Sequence, residues 1–324
     1  MPERAAAVTL VHPREIIAGA LLVLALGSAA GLSLLVLARW CAGGSHSPGL
    51  LDSRGARAGA LAVLAALAAG WVWARFIEPR LLATTRLAVP GAKPRPRLVF
   101  VSDLHVEGSW HLREALVERV RALAPEAILL GGDYLNDRGE RSRETLARIA
   151  RGLSEIAPAV AALGNADAAF PDLRALLESC GVRVLGGGSP AELPGGAVVW
   201  GVDFVDEAGL AAAASRLDRS RFNILLTHEP SLFPAAARAG FDLCLAGHTH
   251  GGQVRLPVYG AVVTLAVLGK RFEAGAYELG GATCYVTRGV GLEGGTLVPR
   301  VRFLCRPEVV VVEGSGWTVP AAVP

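Results

Sequence analysis

Two long apolar stretches open the chain, and short apolar runs that end in polar residues fill most of the rest. Ile16 to Ala38 is 23 residues without a charge, and Ala58 to Ala74 is 17 residues flanked by Arg57 and Arg75. At about 1.5 Å rise per residue, a helix over the first stretch crosses a hydrocarbon core of roughly 30 Å. The second lies at the short end of the spanning range, with Trp71 and Trp73 placed for an interfacial aromatic belt. The pair predicts a helical hairpin anchor. A cleaved signal peptide is the alternative for the first stretch, but its apolar core is long and Arg39-Trp40 is a poor cleavage site. The second stretch has the alternative of lying along a membrane surface.

The intervening loop carries Arg39, Arg54 and Arg57, whereas the outer flanks carry Arg4, Arg14, Arg75, Arg80, Arg86 and Lys93. That excess places the N-terminus and everything after the hairpin on the cytoplasmic side of a bilayer. Gly91 to Pro96 reads as a short, stiff linker. The expected organisation is an anchor and linker over 1–96, a soluble domain over 97–313 and a tail over 314–324.

Within 97–313, strand and helix patterns alternate. Strands are predicted at Leu98–Ser102, Ala127–Leu130, Val160–Leu163, Val198–Val202, Asn223–Leu226 and Leu243–Ala246. Helices are predicted at Leu112–Leu123, Glu144–Ile156 and Leu173–Cys180, the last closed by Gly181. From Val254 to Glu313 the pattern is mostly β, with Gly-Gly pairs at turns. The expected class is α/β, with sheets covered by helices.

Composition sharpens this only in places. A hydrophobic fraction of 52% against 19% charged fits an anchored protein. A formal charge of +3 is too small to imply nucleic-acid binding. The cysteines Cys41, Cys180, Cys244, Cys284 and Cys305 follow neither a zinc spacing nor a disulfide framework. Cys180, Cys244 and Cys284 sit in or beside apolar runs and read as buried free thiols.

The chemistry gathers at strand ends. Leu98–Ser102 runs into Asp103-Leu104-His105, and Ala127–Leu130 into Gly131-Gly132-Asp133. Val160–Leu163 runs into Gly164-Asn165-Ala166-Asp167, and Asn223–Leu226 into Thr227-His228-Glu229. Leu243–Ala246 runs into Gly247-His248-Thr249-His250-Gly251-Gly252. Two divalent cations about 3.5–4 Å apart repel and need a bridging anion, which a carboxylate such as Asp133 supplies. Imidazole with carboxylate suits Mn, Fe, Zn or Co. The D-x-H and H-x-H spacings place alternate side chains of an extended segment on one side, so Asp103 and His105 can serve one metal. Four of the seven histidines fall in these motifs, which makes coincidence a poor explanation.

These motifs, in this order, resemble the calcineurin-like metallophosphoesterase superfamily. More narrowly, the chain resembles its membrane-anchored bacterial phosphodiesterases, close to the UDP-2,3-diacylglucosamine hydrolases of lipid A biosynthesis. The resemblance covers about residues 97–313 and includes the closing run Tyr285 to Gly291 and Cys305-Arg306-Pro307-Glu308. It implies a sandwich of two mixed sheets with flanking helices, a bacterial inner-membrane location and a phosphorylated small-molecule or lipid substrate. It also implies two metals, one held by Asp103, His105, Asp133 and His250, the other by Asp133, Asn165, His228 and His248. Asp133 would bridge, and a hydroxide between the metals would attack phosphorus.

One position departs from the family pattern. Ala166 stands where the family usually has a histidine that protonates the leaving group or steadies the phosphate. Losing a general acid costs roughly 10²–10⁴-fold for a poor leaving group and little for a good one. Ala166 therefore tilts the expected substrate towards a pyrophosphate link, whose leaving group is a phosphate monoester. The UDP-diacylglucosamine hydrolases also depart from histidine here. His111, Arg138 and Arg288 are candidate replacements, and Asp167 is a candidate to orient a ligand or cap a helix. Val254 to Leu268, followed by Lys270-Arg271-Phe272, directly follows the last ligands and reads either as an ordinary β-hairpin packed on the core or as an apolar lobe tipped with cations that borders the site. A general phosphodiesterase for soluble substrates and a non-catalytic metal-binding scaffold are the competing functional readings.

Overall fold

The apolar stretches and runs become seven α-helices and fourteen strands among the described residues. The structure, a computed structural model, describes residues 12–41, 53–108, 110–294 and 299–314. Arg4, most of the loop between the apolar helices and nearly all of the 314–324 tail lie outside the described residues.

The anchor helices are α1 (Pro13–Cys41) and α2 (Arg54–Val72). Ser53 starts α2 by accepting the Ala56 N–H. The helices form a hairpin, with the Arg57 guanidinium over the Trp40 ring. By length and composition both are apolar enough to cross a membrane. A π-turn over Trp73–Ile77 and a 3-10 turn over Glu78–Arg80 carry the chain from α2 onto the body.

Sheet I consists of β1 (Ala83–Leu87), β2 (Leu98–Val101), β3 (Ala127–Leu130), β4 (Ala159–Ala161), β5 (Val182–Val184) and β14 (Glu308–Val312), in the order β1-β14-β2-β3-β4-β5. Sheet II consists of β6 (Ser189–Glu192), β7 (Val198–Val202), β8 (Asn223–Thr227), β9 (Leu243–Ala246), β12 (Gly275–Leu279) and β13 (Ala282–Val286), in the order β12-β13-β9-β8-β7-β6. A two-stranded β10 (Arg255–Leu256) and β11 (Gly260–Ala261) pair stands apart. Helices α3 (Arg113–Ala122), α4 (Glu140–Ser154) and α5 (Leu173–Ser179) belong to sheet I, and α6 (Glu207–Ala214) and α7 (Phe233–Ala239) to sheet II.

Each layer follows from local pattern. Ala127-Ile128-Leu129-Leu130 is buried on both faces, as a central parallel strand must be. In α4, Leu146, Ile149, Ala150 and Leu153 recur at i, i+3, i+4 and i+7 and all face the core. Leu129 lies between the sheets with Phe100, Leu226 and Leu245, while Ile128 faces α4. The result is a helix–sheet–sheet–helix sandwich, matching the expected fold class.

Three expectations need correction. The segment before the linker already belongs to sheet I, because β1 pairs in parallel with β14 from Ala83↔Glu308 to Leu87↔Val312. The last third is less β-rich than expected. Irregular segments at 262–274, 287–294 and 299–307 occupy much of it, outside the sheet ladders. Helix α4 starts at Glu140, four residues early, since Asp137 turns back onto Gly139 N and Ser142 Oγ to begin it. Cys180, Cys244 and Cys284 are buried free thiols, as read; Cys305 is a fourth buried free thiol and Cys41 an exposed one.

Leu129→Ala should test the inter-sheet core. Removing a fully buried leucine costs about 2–5 kcal/mol, read as a lower denaturation midpoint of the full chain in detergent.

Candidate metal centre

Parallel order makes the strand ends converge. β2, β3 and β4 in sheet I run parallel, as do β7, β8 and β9 in sheet II. Their following loops meet at one edge of the sandwich. The loops cross-bond there: the Asp103 N–H donates to Gly132 O at 2.9 Å, and the His248 N–H donates to Asp103 Oδ1 at 2.9 Å. The first bond is within sheet I, and the second joins the two sheets.

The backbone at this edge is left-handed, not extended. Asp103, His105, Asp133, His248 and His250 all have positive φ, between 43° and 69°. Strand alternation therefore does not explain the D-x-H and H-x-H spacings. Each side chain is aimed by a tight turn instead, a conformation that costs free energy and clusters at functional sites. Gly132 permits one such turn, with φ of 100°, and a Cβ there would lie 2.9 Å from His228 Nδ1.

Two groups of side chains result. Asp103, His105 and His250 form one, and Asp133, His228 and His248 form the other. All six are buried, none more than 6% exposed. Asp133 Oδ2 lies between the groups, 3.1 Å from His228 Nε2 and 3.6 Å from His105 Nε2. Asp103 Oδ1 is 3.4 Å from His250 Nε2 and 3.8 Å from His228 Nε2. Asn165 joins the second group through its neighbours, since the Ala166 N–H donates to Asp133 Oδ1 at 2.9 Å.

The donor set fits cations. Asp103 Oδ2 and Asn165 Oδ1 are buried without a hydrogen-bond partner among the described residues. A buried amide oxygen beside carboxylates has no reason to stay unpaired unless a positive ion completes it. Three of the four outer ring nitrogens are committed elsewhere. His228 Nδ1 meets Gly131 O at 2.7 Å, His105 Nδ1 meets Asn136 Oδ1 at 2.8 Å, and His248 Nε2 meets Leu265 O at 3.1 Å. Each of these contacts takes a ring N–H and leaves the opposite nitrogen with a free lone pair, the arrangement of a metal-ligating imidazole. His105 Nε2 lies 3.0 Å from His250 Nε2, a contact that requires a proton or cation.

Charge balance agrees. Burial opposes ionisation of Asp133, but His228, His105 and His248 overcome it and hold the carboxyl well below its usual range. Burial likewise opposes a charge on His228, yet Asp133 and Asp103 raise it to about 10. Burial and then His228 lower His248 to about 4, and burial with His105 lowers His250 well below its ordinary value. Without metal, the carboxylates thus draw their positive charge onto His228.

Further neighbours complete the site, and Phe204 and Glu293 among them were not singled out in the sequence. Asp167 accepts three backbone N–H bonds, from Asp133 and Tyr134 at 2.9 Å and Gly164 at 2.7 Å. It therefore ties the Asp133 turn to the Asn165 turn, the orienting role rather than the capping one. Burial and Asp133 raise it to about 7. Phe204 sits edge-on to His248 at 5.2 Å between ring centroids. It follows the end of β7, so the strand-end rule that found the histidines points to it too. Glu293 Oε2 lies 3.8 Å from His250 Nε2.

The candidate replacements for the missing histidine separate. His111 faces Pro79 O at 3.5 Å, at the foot of α2. Arg288 is paired with Glu308. Arg138 donates to Ala169 O at 3.0 Å, at the end of the turn that Ala166 begins. The closing run Tyr285 to Gly291 lies directly behind Asp103, with Gly291 N–H donating to Asp103 O at 2.6 Å. The fully buried Arg302 holds that run, through Gly291 O and Arg288 O.

Comparison with known proteins agrees with this geometry. The calcineurin-like phosphoesterase family model matches residues 96–252. The phosphodiesterase YaeI of Escherichia coli is 30% identical over 274 residues, covering 78% of this chain and 96% of that protein. The metallophosphoesterase YkuE of Bacillus subtilis is 29% identical over 271 residues, covering 78% and 93%. A metallophosphoesterase of Aquifex aeolicus is 29% identical over 238 residues, covering 68% and 85%. The chain belongs to the calcineurin-like phosphoesterase family. It is a metallophosphoesterase, a hydrolase of phosphoester bonds that works with a dinuclear divalent metal centre.

Asp133→Asn should remove the charge shared by both groups. The expected outcome is metal content falling from two equivalents per chain to one or fewer, measured by elemental analysis after equilibration with Mn²⁺, together with loss of phosphodiesterase activity. Two retained equivalents would show that Asp133 is not the bridge.

Proposed function

We propose that this metallophosphoesterase is anchored in a bacterial inner membrane by α1 and α2 and cleaves a pyrophosphate-type link in a lipid-linked nucleotide such as UDP-2,3-diacylglucosamine. Residues 97–313, with β1 as an edge strand, form the catalytic body on the cytoplasmic side. Asp103, His105, Asp133 and His250 hold one divalent ion, and Asp133, Asn165, His228 and His248 hold the other. The ions, when bound, activate water and neutralise charge on the phosphoryl oxygens.

The chain's own residues supply the rest. Asp133 and Asp103 fix the spacing of positive charge, and Gly131, Asn136 and Leu265 hold the imidazoles in one tautomer each. Phe204 covers His228 and His248 with an apolar ring, which limits water at that side.

The observation that carries the substrate assignment is Ala166. It offers the site only a backbone N–H, donated to Asp133 Oδ1, where an acid would serve a poor leaving group. His111 and His12 face carbonyls of Pro79 and Val267. A nucleoside monophosphate leaves as a stable anion and needs no acid. The anchor supports a lipid substrate. Exposed apolar residues stand at the feet of both helices, with Val267 beside His12 and Leu304 beside Glu78. Phe76 and Ile77 at the end of α2 are exposed as well.

Full-length protein in detergent with Mn²⁺ should hydrolyse UDP-2,3-diacylglucosamine faster than bis-p-nitrophenyl phosphate. Ala166→His should change turnover of the nucleotide lipid by less than about threefold, while raising turnover of an alkyl phosphodiester by roughly 10²-fold. A comparable gain on both substrates would remove the leaving-group argument. Activity on the soluble substrate alone would favour a general phosphodiesterase.

A further inference from the structure

Two of the buried glutamates lie where the anchor helices meet the body and have no part in the reaction. Glu15 lies in the first turn of α1 and Glu78 in the turn after α2, and they are 1% and 2% exposed. Both sit at the feet of the anchor helices, far along the chain from the residues they touch.

Glu15 Oε1 accepts the Thr264 hydroxyl at 2.7 Å, and Oε2 accepts the Thr264 N–H at 3.4 Å. The next residue, Leu265, has a left-handed φ of 56°, and its carbonyl is the partner of His248 Nε2. Two residues further on, Val267 is gripped from both sides. His12 of the α1 approach meets its carbonyl at 3.2 Å, and Glu229 Oε1 accepts its N–H at 3.1 Å. The loop that orients His248 is thus clamped between the foot of α1 and the residue after His228.

Glu78 does the same for the other group. It accepts the Leu304 N–H at 3.0 Å, the Cys305 N–H and the Trp73 indole N–H at 2.7 Å. Ala74 O accepts the Arg302 N–H at 2.9 Å beside it. The Cys305 thiol then donates to His250 O at 3.2 Å. A Cβ at Gly251 would lie 2.9 Å from that sulfur, so the thiol is seated directly under the His250–Gly251 turn.

We propose that the feet of the anchor helices position the metal centre: Glu15 acts through Thr264 and Leu265 on His248, and Glu78 acts through Cys305 on His250. Each helix foot reaches one histidine of one group. The anchor is then part of the catalytic apparatus, and Glu15 and Glu78 are positioning residues that touch neither metal nor substrate. This rests on the reading that His248 and His250 hold metal, which Asp133→Asn tests by itself.

The test is a Mn²⁺ titration of the full chain in detergent, reading equivalents bound and the spin-coupled signal of a dimanganese pair. Partners of metal-ligating histidines typically change affinity by about 10–100-fold. Glu15→Ala should weaken one equivalent by about that factor, and Glu78→Ala should weaken the other. Glu15→Gln should restore most of the affinity, because its amide oxygen still accepts the Thr264 hydroxyl. Glu78→Gln should not, because the Glu78 oxygens accept three close donors, Leu304 N–H, Cys305 N–H and the Trp73 indole, whereas the second contact of Glu15, to the Thr264 N–H, is long at 3.4 Å. Thr264→Val keeps α1 and its charge intact, and should weaken the same equivalent as Glu15→Ala even where that variant folds poorly. Two equivalents bound at wild-type affinity in Glu15→Ala, Thr264→Val and Glu78→Ala, with only thermal stability lowered, would reduce both glutamates to fold braces and overturn the proposal. Should Asp133→Asn also leave metal binding intact, the fault would lie with the ligand assignment.

Discussion

Two buried carboxylates, Asp103 and Asp133, face four imidazoles across the seam between the sheets, and most of the neighbouring structure exists to hold that arrangement. A carboxylate removed from water costs far more than a surface one unless charge or donors compensate it. Asp103 Oδ1 receives the His248 N–H, and Asp133 Oδ1 receives the Ala166 N–H. Asp103 Oδ1 and Asp133 Oδ2 also face the imidazoles. The shift of His228 to about 10 measures the same demand from the other side, since the carboxylates retain a proton on a buried ring against its desolvation. A pair of divalent ions meets that demand and removes the need for the proton.

Aiming six side chains at one volume requires backbone that regular structure does not provide. Five of them sit at left-handed positions, which non-glycine residues rarely occupy. Such turns persist only when their surroundings over-determine them. Asp167 does so for the Asp133 and Asn165 turns through three backbone donors. The run from Arg288 to Gly291 does so for Asp103, with Arg302 buried behind it and capped by carbonyls. The family signature in the last forty residues therefore has a mechanical explanation. It contributes nothing to the ligand set and braces the first ligand from behind.

The strand ends were legible because apolar runs such as Ala127–Leu130 stop abruptly at glycine and a polar residue. That pattern located all seven proposed ligands. Other features carried no local signal. β1 reads Ala-Thr-Thr-Arg-Leu and becomes a strand only because β14 lies beside it. Asp167 reads in sequence equally as an orienting residue or a helix cap, and only its three donors from separate turns decide between them. The left-handed backbone at Asp103 and His250 has no compositional mark, since aspartate and histidine occupy ordinary conformations elsewhere. Glu15 and Glu78 stand beside apolar helices with nothing nearby in the sequence to mark their roles. Their partners, Thr264 and Cys305, lie more than two hundred residues away.

The division of ligands between the sheets has a further physical consequence. The first group takes Asp103 and His105 from sheet I and His250 from sheet II. The second takes Asp133 from sheet I and His228 and His248 from sheet II. Any ion held by either group therefore bonds both sheets at once, at the edge where the apolar interface between them ends. Metal binding then closes a seam that the hydrophobic core leaves open, and affinity for metal becomes part of the stability of the sandwich. The same geometry explains why the active site lies at this edge: only there do the parallel strands of both sheets deliver their turns to a shared volume.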